Sequence, residues 1–292
     1  MYLQKIIASN SISSGSLYFN DNNLLLAHAK RNVGICIWSI NSYELRHQLD
    51  ICSNYQGTIV FSPSGDALIG VNNSGQICQW TFANKRWLLS KTMQTDRGIK
   101  FHLQIHNDEN QIAFLNFTHS TAELWNIHDQ IRLKSYPAHS AALNPIYPLI
   151  AIKDASYIKL INYIEDKLIS RLYIGDDYTD MVFTSDGSSL IAINDSGEIV
   201  VTDLVIQNRT TLTSKSGFAR KFATGDSILA VLYESGRICM WDLNTAKIID
   251  EANSTFYQVD TIAISGHMNL LAVGGGHIDA GKIELWNLDN IN

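Results

Sequence analysis

An all-β fold of seven similar four-stranded antiparallel units is predicted by this sequence. Three observations predict it: a six-residue pattern that recurs seven times, a near-constant spacing between its copies, and turn residues at fixed offsets from it. The pattern reads apolar, variable, apolar, a Trp-like position, polar, apolar. It occurs at 35–40 (ICIWSI), 77–82 (ICQWTF), 122–127 (AELWNI), 158–163 (IKLINY), 199–204 (IVVTDL), 238–243 (ICMWDL) and 283–288 (IELWNL). Along the Trp position (38, 80, 125, 161, 202, 241, 286) the steps are 42, 45, 36, 41, 39 and 45 residues. Recurrence at ~40–45 residues is the period of a four-stranded repeat and too long for the helical TPR and ankyrin repeats.

Each unit is expected to run through strands a, b, c and d. Upstream of strand c lies a second apolar run closed by a polar turn: 67–71 before Asn-Asn-Ser-Gly, 190–193 before Asn-Asp-Ser-Gly, and 228–232 before Tyr-Glu-Ser-Gly. Short apolar runs bounded by Asn, Ser and Gly read as buried strands joined by hairpins. Gly75, Gly197, Gly236 and Gly281 each fall five places before the Trp position, which predicts a turn needing positive φ. Phe61-Ser62-Pro63-Ser64-Gly65 and Phe183-Thr184-Ser185-Asp186-Gly187 end strand a in tight turns. Segments 20–22, 107–110, 144–148 and 266–269 occupy the same place in other units.

These residues carry a family resemblance. The WD40 signature, Phe-Ser-Pro-Asp-Gly, an apolar strand, Asp/Ser-Gly and Ile-x-Leu-Trp-Asp-Leu, is closely resembled by 61–82 and 183–204, and Trp241-Asp242 is the dipeptide itself. The chain thus resembles the WD40-repeat β-propeller family over essentially its whole length. The resemblance implies a single domain, 1–292, folded as a seven-bladed WD40-type β-propeller with four antiparallel strands per blade. The blades would span approximately 9–50, 51–95, 96–137, 138–173, 174–214, 215–250, and 251–292 plus 1–8. The last unit lacks its own strand d, and residues 2–8 (YLQKIIA) are expected to supply it, closing the ring and removing an open sheet edge.

The family pattern is not matched everywhere. Many WD40 blades carry a Gly-His before strand a and an Asp in the b–c turn, joined through a buried hydrogen-bond network to the Trp. Here Ser74, Ser196 and Ser235 replace that Asp, and His139 alone resembles the His. Ile161 and Thr202 replace the Trp, so blades 4 and 5 are expected to be divergent and held by apolar packing. Three of the four cysteines, Cys36, Cys78 and Cys239, fall two places before a Trp and read as small core residues.

Bulk properties narrow the function. A net charge of −6 and scattered basic pairs, such as Lys30-Arg31 and Arg220-Lys221, argue against nucleic acid as a partner. The first ten residues carry neither a long apolar core nor a small-residue cleavage site, and no apolar run approaches the ~18 residues of a membrane span, so a cytoplasmic protein with no membrane partner is expected. No phosphate loop, nucleophile elbow, HExxH or paired CxxC is present, and the nine histidines are scattered. Asp176, Asp177 and Asp180 read as a solvated turn before they read as a cation site. The Gly-rich segment 274–281 is expected to be an elongated b–c connection, with a contact loop as the sharper alternative.

The reading is therefore of a non-catalytic scaffold or adaptor for protein partners, with no cofactor and no metal, monomeric or a subunit of a hetero-complex. In WD40 propellers generally, the b–c and d–a connections share the usual contact face. Carried onto this chain, that face presents Lys30, Arg31, Tyr55, Asn73, Arg97, His119, His139, Asp177, Tyr178, Asp195, Tyr233, Glu234, Tyr257, His277 and Asp279. Tyr, Arg and His suit the centre of an interface. The alternative is a propeller enzyme of lactonase or quinoprotein type, with a metal or cofactor at the channel.

Overall fold

A computed structural model describes residues 1–8, 14–20, 22, 24–30, 34–49, 58–72, 74–95, 100–108, 111–116, 120–175, 178–194, 196–213, 217–225, 227–256, 258–265, 267–277 and 280–289; at 14, 15, 30, 100–102, 111–116, 258, 276, 277 and 280 it describes the backbone only. The described residues form strands and turns. β1 (Tyr2–Ala8) comes first, followed by sheet 1 with β2 (Ser14–Asn20), β3 (Leu25–Lys30), β4 (Gly34–Ser39) and β5 (Leu45–Leu49). Sheet 2 holds β6 (Thr58–Phe61), β7 (Ala67–Val71), β8 (Gln76–Ala83) and β9 (Arg86–Gln94); sheet 3 holds β10 (Lys100–Ile105), β11 (Gln111–Asn116), β12 (Thr121–Asn126) and β13 (Ile131–Pro137). Sheet 4 holds β14 (Ala141–Leu143), β15 (Leu149–Asp154), β16 (Tyr157–Asn162) and β17 (Lys167–Tyr173); sheet 5 holds β18 (Tyr178–Phe183), β19 (Ser189–Asn194), β20 (Ile199–Asp203) and β21 (Arg209–Leu212). Sheet 6 holds β22 (Ala219–Thr224), β23 (Ile228–Tyr233), β24 (Arg237–Asp242) and β25 (Lys247–Asn253), and sheet 7 holds β26 (Gln258–Ser265), β27 (Leu270–His277) and β28 (Ala280–Asn287).

All pairings are antiparallel between neighbours in sequence, with one exception: the outer strand of sheet 7 is β1, which pairs with β28 from Tyr2↔Asn287 to Ala8↔Lys282. The expected loan of an outer strand by residues 2–8 is therefore present. Strands b and c are buried on both faces, as their unbroken apolar runs require. Register repeats from sheet to sheet: Leu26↔Trp38, Leu68↔Trp80, Leu229↔Trp241 and Leu271↔Trp286 place a leucine opposite four of the column's tryptophans, and Ile112 is paired with Trp125. Strand d of sheets 1, 2, 3, 4 and 6 carries a bulge next to the Trp position. Sheet 5, with Thr202 there, has a regular four-residue β21 instead.

The core is divided among the gaps between sheets. Seven apolar clusters join sheets 1 and 2, 2 and 3, 3 and 4, 4 and 5, 5 and 6, 6 and 7, and 7 and 1. The side chain at the Trp position packs into the gap on the side of the preceding sheet, as Trp80 does with Ile35 and Ile37. This arrangement of four-stranded antiparallel sheets is consistent with a β-propeller.

The innermost strands are also stitched by polar contacts. Ser16 Oγ accepts Ile59 N–H at 2.8 Å, Thr58 Oγ1 accepts Leu103 N–H at 3.2 Å, Gln104 Oε1 accepts Leu143 N–H at 2.5 Å, and Thr261 Oγ1 accepts Leu17 N–H at 3.3 Å. Each gives an edge-strand amide a partner in the neighbouring sheet, which an edge otherwise lacks.

Positive φ at Gly75 (80°), Gly197 (85°) and Gly236 (81°) matches the turn expected there. Gly281 departs from that expectation. It lies inside β28, paired with Gly276, because the hairpin of sheet 7 is longer by a further register, His277↔Ala280. Most of segment 274–281 is thus paired strand and not a loose connection; residues 278 and 279 lie outside the described residues.

Candidate functional site

The expected contact face lies at the b–c and d–a end of the sheets. Arg31, Tyr55, Asn73, Arg97, His119, Asp177, Asp195, Tyr257 and Asp279 lie outside the described residues, as does Asp176 of the acidic turn. Lys30 ends β3 and His277 ends β27, each described by backbone alone. His139 and Glu234 are exposed at that end, and Glu234 is held by the Arg220 guanidinium at 2.5 Å.

Two residues of the expected face are instead core. Tyr233 is 0% exposed and Tyr178 7%. Tyr233 ends β23, whose side chains are buried on both faces, and its ring packs in the gap toward sheet 5 with Ile191, Ile193 and Trp241. A Cβ added at Gly197 would meet Tyr233 Cε1 at 3.1 Å, so the glycine of one unit makes room for the tyrosine of the next. Tyr178 begins β18 and packs with Ile174 and Phe183. Both tyrosines are packed into the frame.

Within the sheets, one repeat column carries chemistry that the Cys pattern conceals. Two places before the Trp, sheets 1, 2 and 6 have buried Cys36, Cys78 and Cys239, in keeping with a core role. Sheets 3 and 7 have buried Glu123 and Glu284. Trp125 Nε1 donates to Glu123 Oε2 at 3.0 Å, and Trp286 Nε1 to Glu284 Oε2 at 3.2 Å. Glu284 Oε1 also accepts Thr255 N–H at 2.8 Å and the Thr255 hydroxyl at 2.5 Å, tying sheet 7 to the segment that enters from sheet 6. A buried Trp network therefore does exist in these two sheets, built on Glu. Its sequence signal was the Glu of AELW and IELW in the Cys column.

Where the inner strands of all seven sheets converge, a cavity of about 400 Å³ opens. Leu17, Phe61, Leu103, Leu143, Phe183, Phe222 and Ile262 each represent one sheet in its wall; Gln104, Asn107, Ser185 and Thr224 are among its polar members. Among the described residues, none of those lining the cavity is Asp, Glu, His, Cys, Lys or Arg. Among the described residues no group of three or more His, Cys, Asp or Glu is placed to hold a metal. His106 takes the Asp108 amide on Nδ1 at 3.2 Å, a local turn contact. Among the described residues no helix is long and apolar enough to cross a membrane.

The opposite end, with the a–b and c–d turns, was not singled out by the sequence. There Val205 is 84% exposed, Ile206 70% and Ile164 69%, beside half-exposed Ile146 and Tyr147. All five belong to sheets 4 and 5. No protein-family model matches this chain, and no curated protein matches it in sequence.

Proposed function

We propose that residues 1–292 form one seven-bladed β-propeller of the WD40 type, closed by β1, and that it acts in the cytoplasm as a non-catalytic scaffold for protein partners. The seven sheet-to-sheet clusters and the pairing of β1 with β28 support the ring. The observation that carries the scaffold reading is the display of large apolar side chains at rigid turn tips beside a packed core. Val205, Ile206 and Ile164 fill no gap between sheets, and exposed apolar groups in a cluster mark contact surfaces.

The test is native mass spectrometry on the tagged chain isolated gently from its own cells. A heteromeric assembly of fixed stoichiometry is expected. A chain recovered alone at every concentration, or one carrying stoichiometric calcium or quinone together with hydrolase or dehydrogenase activity, overturns the reading.

A further inference from the structure

We propose that the turn ends of sheets 4 and 5 form a docking surface for a basic amphipathic helix of a partner protein. The inference rests on the scaffold reading and names the face and the chemistry of the partner.

Four turns build the surface, and hydrogen bonds make them one unit. In the a–b turn of sheet 4, Asn144 Oδ1 accepts the amides of Ile146 and Tyr147 at 2.9 and 2.8 Å. The same side chain donates through Nδ2 to Gly187 O in the a–b turn of sheet 5, at 2.9 Å. The Tyr163 amide donates to Pro148 O, joining the c–d turn of sheet 4, where Asn162 Oδ1 accepts the amides of Ile164 and Glu165. The Leu204 amide donates to Ser188 O, joining the c–d turn of sheet 5, where Asp203 Oδ1 accepts the amides of Val205 and Ile206. Every exposed apolar residue of the group thus sits on a side-chain-capped turn. Such turns hold their geometry before a partner arrives, which lowers the ordering cost of binding.

Three and four places after the Trp position, where sheet 5 has Val205 and Ile206, sheets 1, 3 and 6 have Asn41-Ser42, His128-Asp129 and Asn244-Thr245, and sheet 2 has Ala83-Asn84. Large apolar tips belong to the two units that lack the Trp.

The occupant follows from what the surface lacks and what surrounds it. The tip amides are already bonded to Asn and Asp side chains, so a partner strand finds no edge there, and recognition must run through side chains. That suits the apolar stripe of a helix laid across the tips. The rim is acidic: Glu165 and Asp186 are exposed, Asp203 caps its turn, and Asp108 lies on the neighbouring turn, whose Asn107 amide donates to Pro145 O. Of the cations nearby, Lys134 is paired with Asp166 at 3.1 Å, Arg209 donates to Tyr173 O and Lys167 follows the c–d turn of sheet 4, so carboxylates outnumber them. An acidic rim repels an anionic lipid surface and a second copy of the same face, and attracts Lys and Arg flanking an apolar stripe.

The test places a photo-crosslinking amino acid at Tyr147, at Val205 and, as a control on another sheet, at exposed Leu89 in the full chain in its own cells. Crosslinked peptides are then mapped. Crosslinks from 147 and 205, but not 89, to one Lys/Arg-rich amphipathic helical segment are expected. The pair Val205→Asp and Ile206→Asp should weaken that complex by about tenfold or more with unchanged melting, and Glu165→Lys by a few-fold. Crosslinks to an acidic or extended segment, to lipid or to another copy of this chain overturn the proposal. Crosslinks from 89 alone overturn it and leave the scaffold reading standing. No crosslink at any position, with the chain recovered alone, removes both.

Discussion

Sheets 7 and 5 carry the same repeat yet are held in different ways. Sheet 7 keeps a carboxyl group in its core: Glu284, 0% exposed, accepts from Trp286 and from both donors of Thr255. Sheet 5 has Val200 and Thr202 at those two positions, and its inner three strands are gripped by apolar clusters on either side. Two of its hydrogen-bonded carboxylates, Asp186 and Asp203, lie at the turn end that carries the exposed apolar tips. The difference teaches that the Trp column is one way to seal the gap to the preceding sheet. A unit sealed by aliphatic packing can do without it, and that unit is also one whose tip carries exposed apolar side chains.

The largest effect is expected from removing residues 1–8. Sheet 7 would lose its outer strand and expose the edge of β28, including Trp286 opposite Leu3. Soluble folded protein should fall sharply, read by circular dichroism and gel filtration; an unchanged melt would show that β1 does not hold the sheet. Next comes Glu284→Ala, which leaves the buried Trp286 indole N–H without its acceptor and releases both donors of exposed Thr255 to water. The expected cost is about 3 kcal/mol by urea unfolding. Val200→Ala in sheet 5 removes only alkyl groups and should cost about 1–2 kcal/mol. Equal losses would erase the distinction between the two sheets.

A finer comparison uses two tryptophans. Trp241 Nε1 is buried with no hydrogen-bond partner among the described residues, whereas Trp286 Nε1 is bonded to Glu284. Replacing each by Phe removes similar volume, so packing losses largely cancel between the two variants. Trp286→Phe should cost about 1–2 kcal/mol more than Trp241→Phe, because only the former strips a donor from a buried carboxyl group. Equal unfolding free energies would deny the Trp–Glu bond any net role.

The repeat was legible because strand c is buried on both faces and its turn glycines recur at a fixed offset, so 75, 197 and 236 could be read as positive-φ positions from spacing alone. Gly281 obeys the same spacing and still falls in a strand, since the length of a hairpin depends on how far its two arms pair, here to His277↔Ala280. Tyr233 was misplaced for a related reason: alternation loses its meaning in a strand with two buried faces, and only the space left by Gly197 shows where the ring goes. Sequence gives Glu284 no partner, because Thr255 is 29 residues away. Val205 and Ile206 follow directly after a strand and resemble its continuation. It is the cap from Asp203 that turns them outward, and such a cap is a three-dimensional fact.

The smallest effect is expected at Asp186, the carboxylate that sheet 5 holds at a turn. Burial alone would raise its pKa, but hydrogen bonds from Thr184 Oγ1 at 2.6 Å, from the Ser188 amide and hydroxyl, and from its own amide outweigh that effect and hold it below the usual aspartate range. A carboxyl group with a depressed folded pKa adds stability that is present above its unfolded pKa and lost as pH falls through the folded value. Asp186→Asn should therefore lower the melting temperature at neutral pH by at most about 2 °C, because the group is exposed and screened. Below both pKa values wild type and variant should melt together. A gap that persists in acid would place the contribution in shape and not in charge. A neutral-pH loss as large as that of Glu284→Ala would mean that a turn carboxylate anchors its sheet as firmly as a core one, and sheets 5 and 7 would then differ only in where the same device is placed.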